Sequence, residues 1–110
     1  MVEFNIIASV GTTEVDLAPY PGGSSTVPSG KRRKIFVMIL TNTATSSNTL
    51  TLRIYNGTTL ESSFNITIPS SNTLAMINDK VPILIVPSGR TLRAVATSDS
   101  INVLMTAVDE

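Results

Sequence analysis

The sequence predicts an all-β fold: one β-sandwich domain over residues 1–110, jelly-roll-like, with eight or nine short antiparallel strands. Three observations predict it. Ile and Val number 21 against nine Leu and seven Ala, and β-branched residues suit a pleated, half-buried surface better than a helix. Thr, Ser and Asn make 36 of 110 residues while charged residues are only 15%, so hydroxyls and amides must form most of the wetted surface. Short apolar segments recur at intervals of roughly 8–12 residues between Pro/Gly turns, the spacing of sandwiches and jelly rolls.

Each element follows from local pattern. Phe4 to Val10 reads as the first strand and Glu14 to Ala18 as a short second one. Residues 19–30, rich in Pro, Gly and Ser, read as a loop or arm without regular structure, because proline fixes φ and glycine frees it. Lys34 to Thr41 is a strand apolar on both faces, with Ile35, Val37 and Ile39 on one side and Phe36, Met38 and Leu40 on the other. Leu50, Leu52 and Ile54 alternate with polar residues in a one-sided strand. Asn56-Gly57 predicts a hairpin with a type I′ turn. The return strand places Leu60, Phe64, Ile66 and Ile68 on the inner face. Strands follow at Leu74 to Ile77, Val81 to Val86 and Thr91 to Thr97, with a short helical turn as the alternative over Thr73 to Asp79. After a tight turn at Asp99-Ser100, Ile101 to Val108 is again apolar on both faces.

Composition narrows function. Basic and acidic residues number eight each, so bulk electrostatics does not hold this chain on nucleic acid. The sequence has no Cys and no His, which removes thiolate chemistry, the commonest general base and the commonest transition-metal ligand. The expectation is no enzyme, no catalytic residue, no metal and no cofactor. Glu14 and Asp16 share a strand face, but as an exposed acidic edge rather than a catalytic or Ca²⁺-binding pair. Met1 to Gly11 lacks a signal-peptide pattern and the longest apolar run, Ile35 to Leu40, is far short of a membrane span. Synthesis in the cytoplasm and no membrane partner are therefore expected.

Two strands with two apolar faces exceed what a lone two-layer domain hides. Either the 19–30 segment covers an outer face, or another subunit does. Phe36, Met38, Leu40, Leu104 and Val108 are the candidate subunit-interface residues. Lys31, Arg32, Arg33 and Lys34 hold half of all basic residues and are candidates for a basic docking rim. The alternative is pairing with the chain's own Glu14, Asp16, Asp109 or Glu110. Tyr20, between two prolines, is a candidate anchor in a partner's pocket. Two echoes, Val27-Pro28-Ser29-Gly30-Lys31 with Val86-Pro87-Ser88-Gly89-Arg90, and Ser46 to Leu50 with Ser70 to Leu74, read as repeated turn chemistry at sandwich corners. The turns are expected to carry Pro second and Gly fourth.

The run from Val27-Pro28-Ser29-Gly30-Lys31 into Ile35 to Thr43, then Val86-Pro87-Ser88-Gly89-Arg90-Thr91-Leu92-Arg93-Ala94 into the last strand, resembles the small all-β virion proteins of tailed bacteriophages. The resemblance covers about residues 27–110 and rests on turn-and-strand patterns. It implies a structural protein of the virion, either capsid decoration (cement) or tail and neck. Taken with the two-faced strands, the expected function is a homo-oligomer, trimer favoured, that binds the major capsid protein on the outer shell. The alternatives are a tail or neck component and a carbohydrate- or receptor-binding module. The latter is weakened by having no Trp and two Tyr to stack on sugars.

Overall fold

The computed structural model describes residues 3–110 and contains ten strands among them: β1 (Glu3–Val10), β2 (Val15–Asp16), β3 (Pro19–Tyr20), β4 (Arg33–Asn42), β5 (Asn48–Asn56), β6 (Thr59–Ile68), β7 (Thr73–Ile77), β8 (Leu84–Val86), β9 (Thr91–Ala96) and β10 (Ile101–Asp109). They form two antiparallel sheets. One runs β3-β1-β10-β4-β7 with β8 also on β4; the other runs β2-β9-β5-β6. The pairing is nested. The β5–β6 hairpin lies at the centre, then β4 with β7 and β8, then β2 with β9, then β1 with β10. The chain is one long hairpin folded so that successive pairs fall in opposite sheets, which is the winding of a jelly roll.

Inward side chains from both sheets form a single apolar core that includes Ile6, Ile35, Met38, Leu40, Leu50, Leu52, Leu92, Ile101 and Met105. Two buried amides tie the loops at one end. Asn42 donates through Nδ2 to the carbonyls of Ser46, Ile68 and Pro69 and accepts from the Ala44 amide. Asn48 donates to the Ser98 and Asp99 carbonyls and accepts from Thr97 Oγ1 and the Ser98 amide. A buried amide is tolerable because its polar atoms are paired.

The first echo is spatial as well as sequential. Val27 N–H donates to the Arg90 carbonyl at 2.9 Å, Gly89 N–H to the Val27 carbonyl at 2.9 Å, and Gly30 N–H to Ser88 Oγ at 3.1 Å. The two Pro-Ser-Gly turns lie side by side where the long hairpin bends between sheets. Their closing bonds run from Lys31 N–H to the Pro28 carbonyl and from Arg90 N–H to the Pro87 carbonyl, so each turn starts at Pro, one residue later than expected. Glycine is third, with φ of +76° at Gly30 and +75° at Gly89, the left-handed conformation a type II turn requires there.

Several expectations need correction. The strand expected at Leu74 to Ile77 is present as Thr73–Ile77, and the helical-turn alternative falls away. Pro19–Tyr20 pairs with Asn5 and Ile6, so the 19–30 segment has a two-residue edge strand; an edge position needs no N–H from proline. The rest of that segment crosses between sheets, with Val27 in the core and Thr26 bridged to Thr91. At the β5–β6 hairpin, Asn56 pairs with Thr59, and among the loop residues only Gly57 has positive φ, the II′ pattern rather than I′.

Two bulges matter more. In β4, Val37 pairs with Thr106 but Ile35 with Ala107, so Phe36 is an extra residue. In β6, Ser62 pairs with Ile54 but Leu60 with Tyr55, so Glu61 is extra. A one-residue insertion reverses the facing of every residue beyond it. Leu60 is consequently turned outward beside Tyr55 instead of into the core.

Candidate docking face

The two outer faces of the sandwich differ in chemistry. On the four-stranded sheet the outward residues of β5 are Thr49, Thr51, Arg53 and Tyr55. Thr49 and Thr67 share a hydroxyl hydrogen bond of 3.0 Å and Thr51 donates to Asn65 at 2.9 Å. Arg53 Nη1 donates to Glu14 at 2.8 Å, and Tyr55 donates to the same carboxylate oxygen at 3.2 Å. Glu14 lies 3.7 Å from Arg93, whose guanidinium is 2.8 Å from Asp16 and stacks 4.4 Å above the Tyr55 ring. The Glu14 contact pushes the Arg53 pKa above its ordinary value. The carboxylates expected as an acidic edge are therefore spent on two arginines, and this face carries its own polar partners.

The outer face of the six-stranded sheet is apolar. Ile7 on β1 pairs with Leu104 on β10, Leu104 with Ile39 on β4, and Ile39 with Ala75 on β7. The four make one row straight across the sheet. The next row is Asn5, Thr106, Val37 and Ile77, and the one beyond it is Glu3, Val108, Lys34 and Ile85. Ile7 is 51% exposed, Ile77 68% and Leu104 37%. An open apolar depression is lined by Ile7, Ile39 and Leu104, with Ser9, Thr41 and Asn102 at its polar margin.

The predicted interface residues divide around the Phe36 bulge. Phe36, Leu104 and Val108 are on or beside this face; Phe36 and Val108 help line a second hollow near Ile77 and Lys80, and Val108 is covered by its neighbours. Met38 and Leu40 are not on it. Both are buried in the core, because the bulge hands their outward places to Val37 and Ile39. Ile7, Val37, Ile39 and Ile77 are the members that sequence reasoning missed. Ile7 was visible as the one large apolar residue out of phase with Phe4, Ile6, Ala8 and Val10.

The basic cluster also divides. Arg33 is 2% exposed and faces inward. Its Nε and Nη2 donate to the two carboxylate oxygens of Asp109 at 2.8 and 2.9 Å, its Nη1 donates to the Ser24 carbonyl at 3.2 Å, and its guanidinium lies 5.0 Å from the Phe4 ring centre. Lys34 donates to Glu110 at 2.9 Å, and holds that carboxyl below its ordinary pKa. Arg33 is thus excluded as a contact residue by burial. Lys31 and Arg32 remain at the surface without an ion pair among the described residues, next to the Lys34 row of the apolar face. Tyr20, 61% exposed on β3, lies at the β1 edge of the same sheet.

No known family model matches the chain, and no curated protein matches it significantly. What the face can do therefore rests on its own dimensions. Strand spacing and side-chain repeat give about 33 Å² of sheet per outward residue. Eight apolar positions then cover roughly 260 Å², just below the ~300–600 Å² of an ordinary monomer's largest apolar patch. A standard interface removes about 800 Å² per partner. Taken alone, the apolar face is about a third of that area.

Proposed function

We propose that this chain is a non-enzymatic structural protein of a phage virion, a capsid decoration protein that sits on the outer shell and docks on the major capsid protein through the six-stranded sheet. The observation carrying this reading is the contrast between the faces: one sheet is occupied mainly by hydroxyl contacts and ion pairs, while the other presents the Ile7–Leu104–Ile39 row to its surroundings. The resemblance to phage virion proteins supports the particle. Lys31 and Arg32 supply a cationic margin that steers docking and sets its salt dependence. The alternative of a sugar-binding module finds no free aromatic platform on the polar sheet, since Arg93 already covers Tyr55.

The test is co-sedimentation with shells assembled from the major capsid protein of the same phage. The wild-type chain is expected to pellet with shells. Leu104→Glu is expected to weaken that binding about tenfold or more, the cost of setting a charge in an apolar contact. Arg32→Glu is expected to weaken it mainly at low salt. Binding only to tail or portal assemblies would move the protein to the tail or neck, and binding indifferent to both substitutions would remove the proposed face.

A further inference from the structure

We propose that two copies of this chain pair edge to edge through β6, antiparallel about a two-fold axis at Asn65. β6 spans ten residues and ends its sheet, whereas the other edge strands, β2, β3, β7 and β8, have two, two, five and three. Natural edges are guarded by shortness, lysine, proline or a bulge. In β6 the guard is confined to one end, where the bulge carries Glu61, held by Arg90 at 2.9 Å. At the other end Asn42 occupies the Ile68 carbonyl. Between them Ser62 to Thr67 has no charge and no proline.

The occupant is argued from self-complementarity. A two-fold at Asn65 sets Phe64 opposite Ile66 of the second copy, and Ser63 opposite Thr67. Phe64 and Ile66 face inward, paired with Leu52 and Leu50, while Ser63, Asn65 and Thr67 face outward. From Ser63 to Thr67, apolar meets apolar on one face and polar meets polar on the other, and no charge enters the contact. Phe64 and Ile66 also border an apolar mouth between the sheets, opposite Met76, Ile83 and Leu84. The second copy's Phe64 and Ile66 would extend that wall and screen the mouth from water. Thr51 already donates to Asn65 Oδ1, leaving the Asn65 amide nitrogen free to donate across the axis. The contact is two-fold, in place of the trimer expected from sequence.

This pairing deepens the proposed function and rests on it only for its consequence. An axis perpendicular to the four-stranded sheet leaves both apolar outer faces looking the same way, so the dimer docks with two weak faces at once.

Sedimentation velocity of the full chain tests it. The wild type is expected to reach twice the mass of one chain as concentration rises. Asn65→Lys and Asn65→Glu each place like charges opposite one another and should associate about tenfold or more weakly. An equimolar mixture of the two should recover the dimer, which a folding defect would not do. A wild type that stays single, or a dimer indifferent to both substitutions, overturns the inference. Shell binding is scored separately: a single-chain wild type that still pellets leaves the function standing without the dimer, and a β6 dimer that does not pellet does the reverse.

Discussion

Asp109→Ala should destabilise the fold more than Arg33→Met, although the two residues share one ion pair. The asymmetry follows from burial. The Arg33 side chain is 3% exposed and Asp109 is 19% exposed. Removing the carboxylate strands a buried guanidinium that keeps only the Ser24 carbonyl and the Phe4 ring. The cost of such a stranded charge is about 3–5 kcal/mol. Removing the guanidinium while keeping an apolar stem leaves a carboxylate that can turn to water, at a cost of about 1–2 kcal/mol. The double variant leaves only the Ser24 carbonyl short of a partner, again about 1–2 kcal/mol, so the single effects should fail to add by about 4 kcal/mol. Urea unfolding of the four proteins measures this directly. Equal single effects, or additive ones, would refute the account of Arg33 as a buried structural cation. Arg33→Met should also leave shell binding unchanged in the folded protein, while Arg32→Glu should alter binding without altering unfolding.

The second echo gives an internal control. Asn48→Ala should cost about 2–3 kcal/mol by leaving buried loop groups unpaired, whereas Asn72→Ala, whose exposed side chain reaches only the Ser70 carbonyl, should stay within about 0.5 kcal/mol; urea midpoints compare them. In acid, Glu110 beside Lys34 and Glu61 beside Arg90 both titrate below their ordinary value in the folded state. Their stabilisation is therefore present above the unfolded value and is lost as pH falls through the folded one. A Glu61→Gln, Glu110→Gln variant should show a shallower loss of stability across that acid range, read from urea midpoints against pH; because both groups are exposed, the effect should also shrink with salt.

The fold class was legible because β-branched residues, alternation and turn spacing agree. The one-sided β5 could be read directly: Leu50, Leu52 and Ile54 face the core as their alternation requires. The nested order of strands was not legible, because it depends on pairings as distant as Glu3 with Val108 and Val15 with Ala94 that no local pattern encodes. The echo of Val27 to Lys31 in Val86 to Arg90 did point to a corner, and the pairing of those two turns places them at the same bend. Pairing of the basic cluster with the chain's last residues was one of two readings. The structure divides it residue by residue, since a strand sends Arg33 inward to Asp109 and Lys34 outward to Glu110.

Phe36 explains why the candidate docking face was only partly readable. Alternation assigns a strand's faces when one set of residues is polar. In β4 both sets are apolar from Ile35 to Leu40, so either Met38 and Leu40 or Val37 and Ile39 satisfied the core on pattern alone. Register decides between them, and register is set by the single residue by which β4 outruns β10 between Ile35 and Val37. The same double apolarity has a second effect. Whichever set enters the core, the other must remain outside as an apolar surface. The property that hid the assignment of β4 is thus the one that makes its outer side apolar, which is why Ile39 and Val37 stand at the centre of the proposed contact.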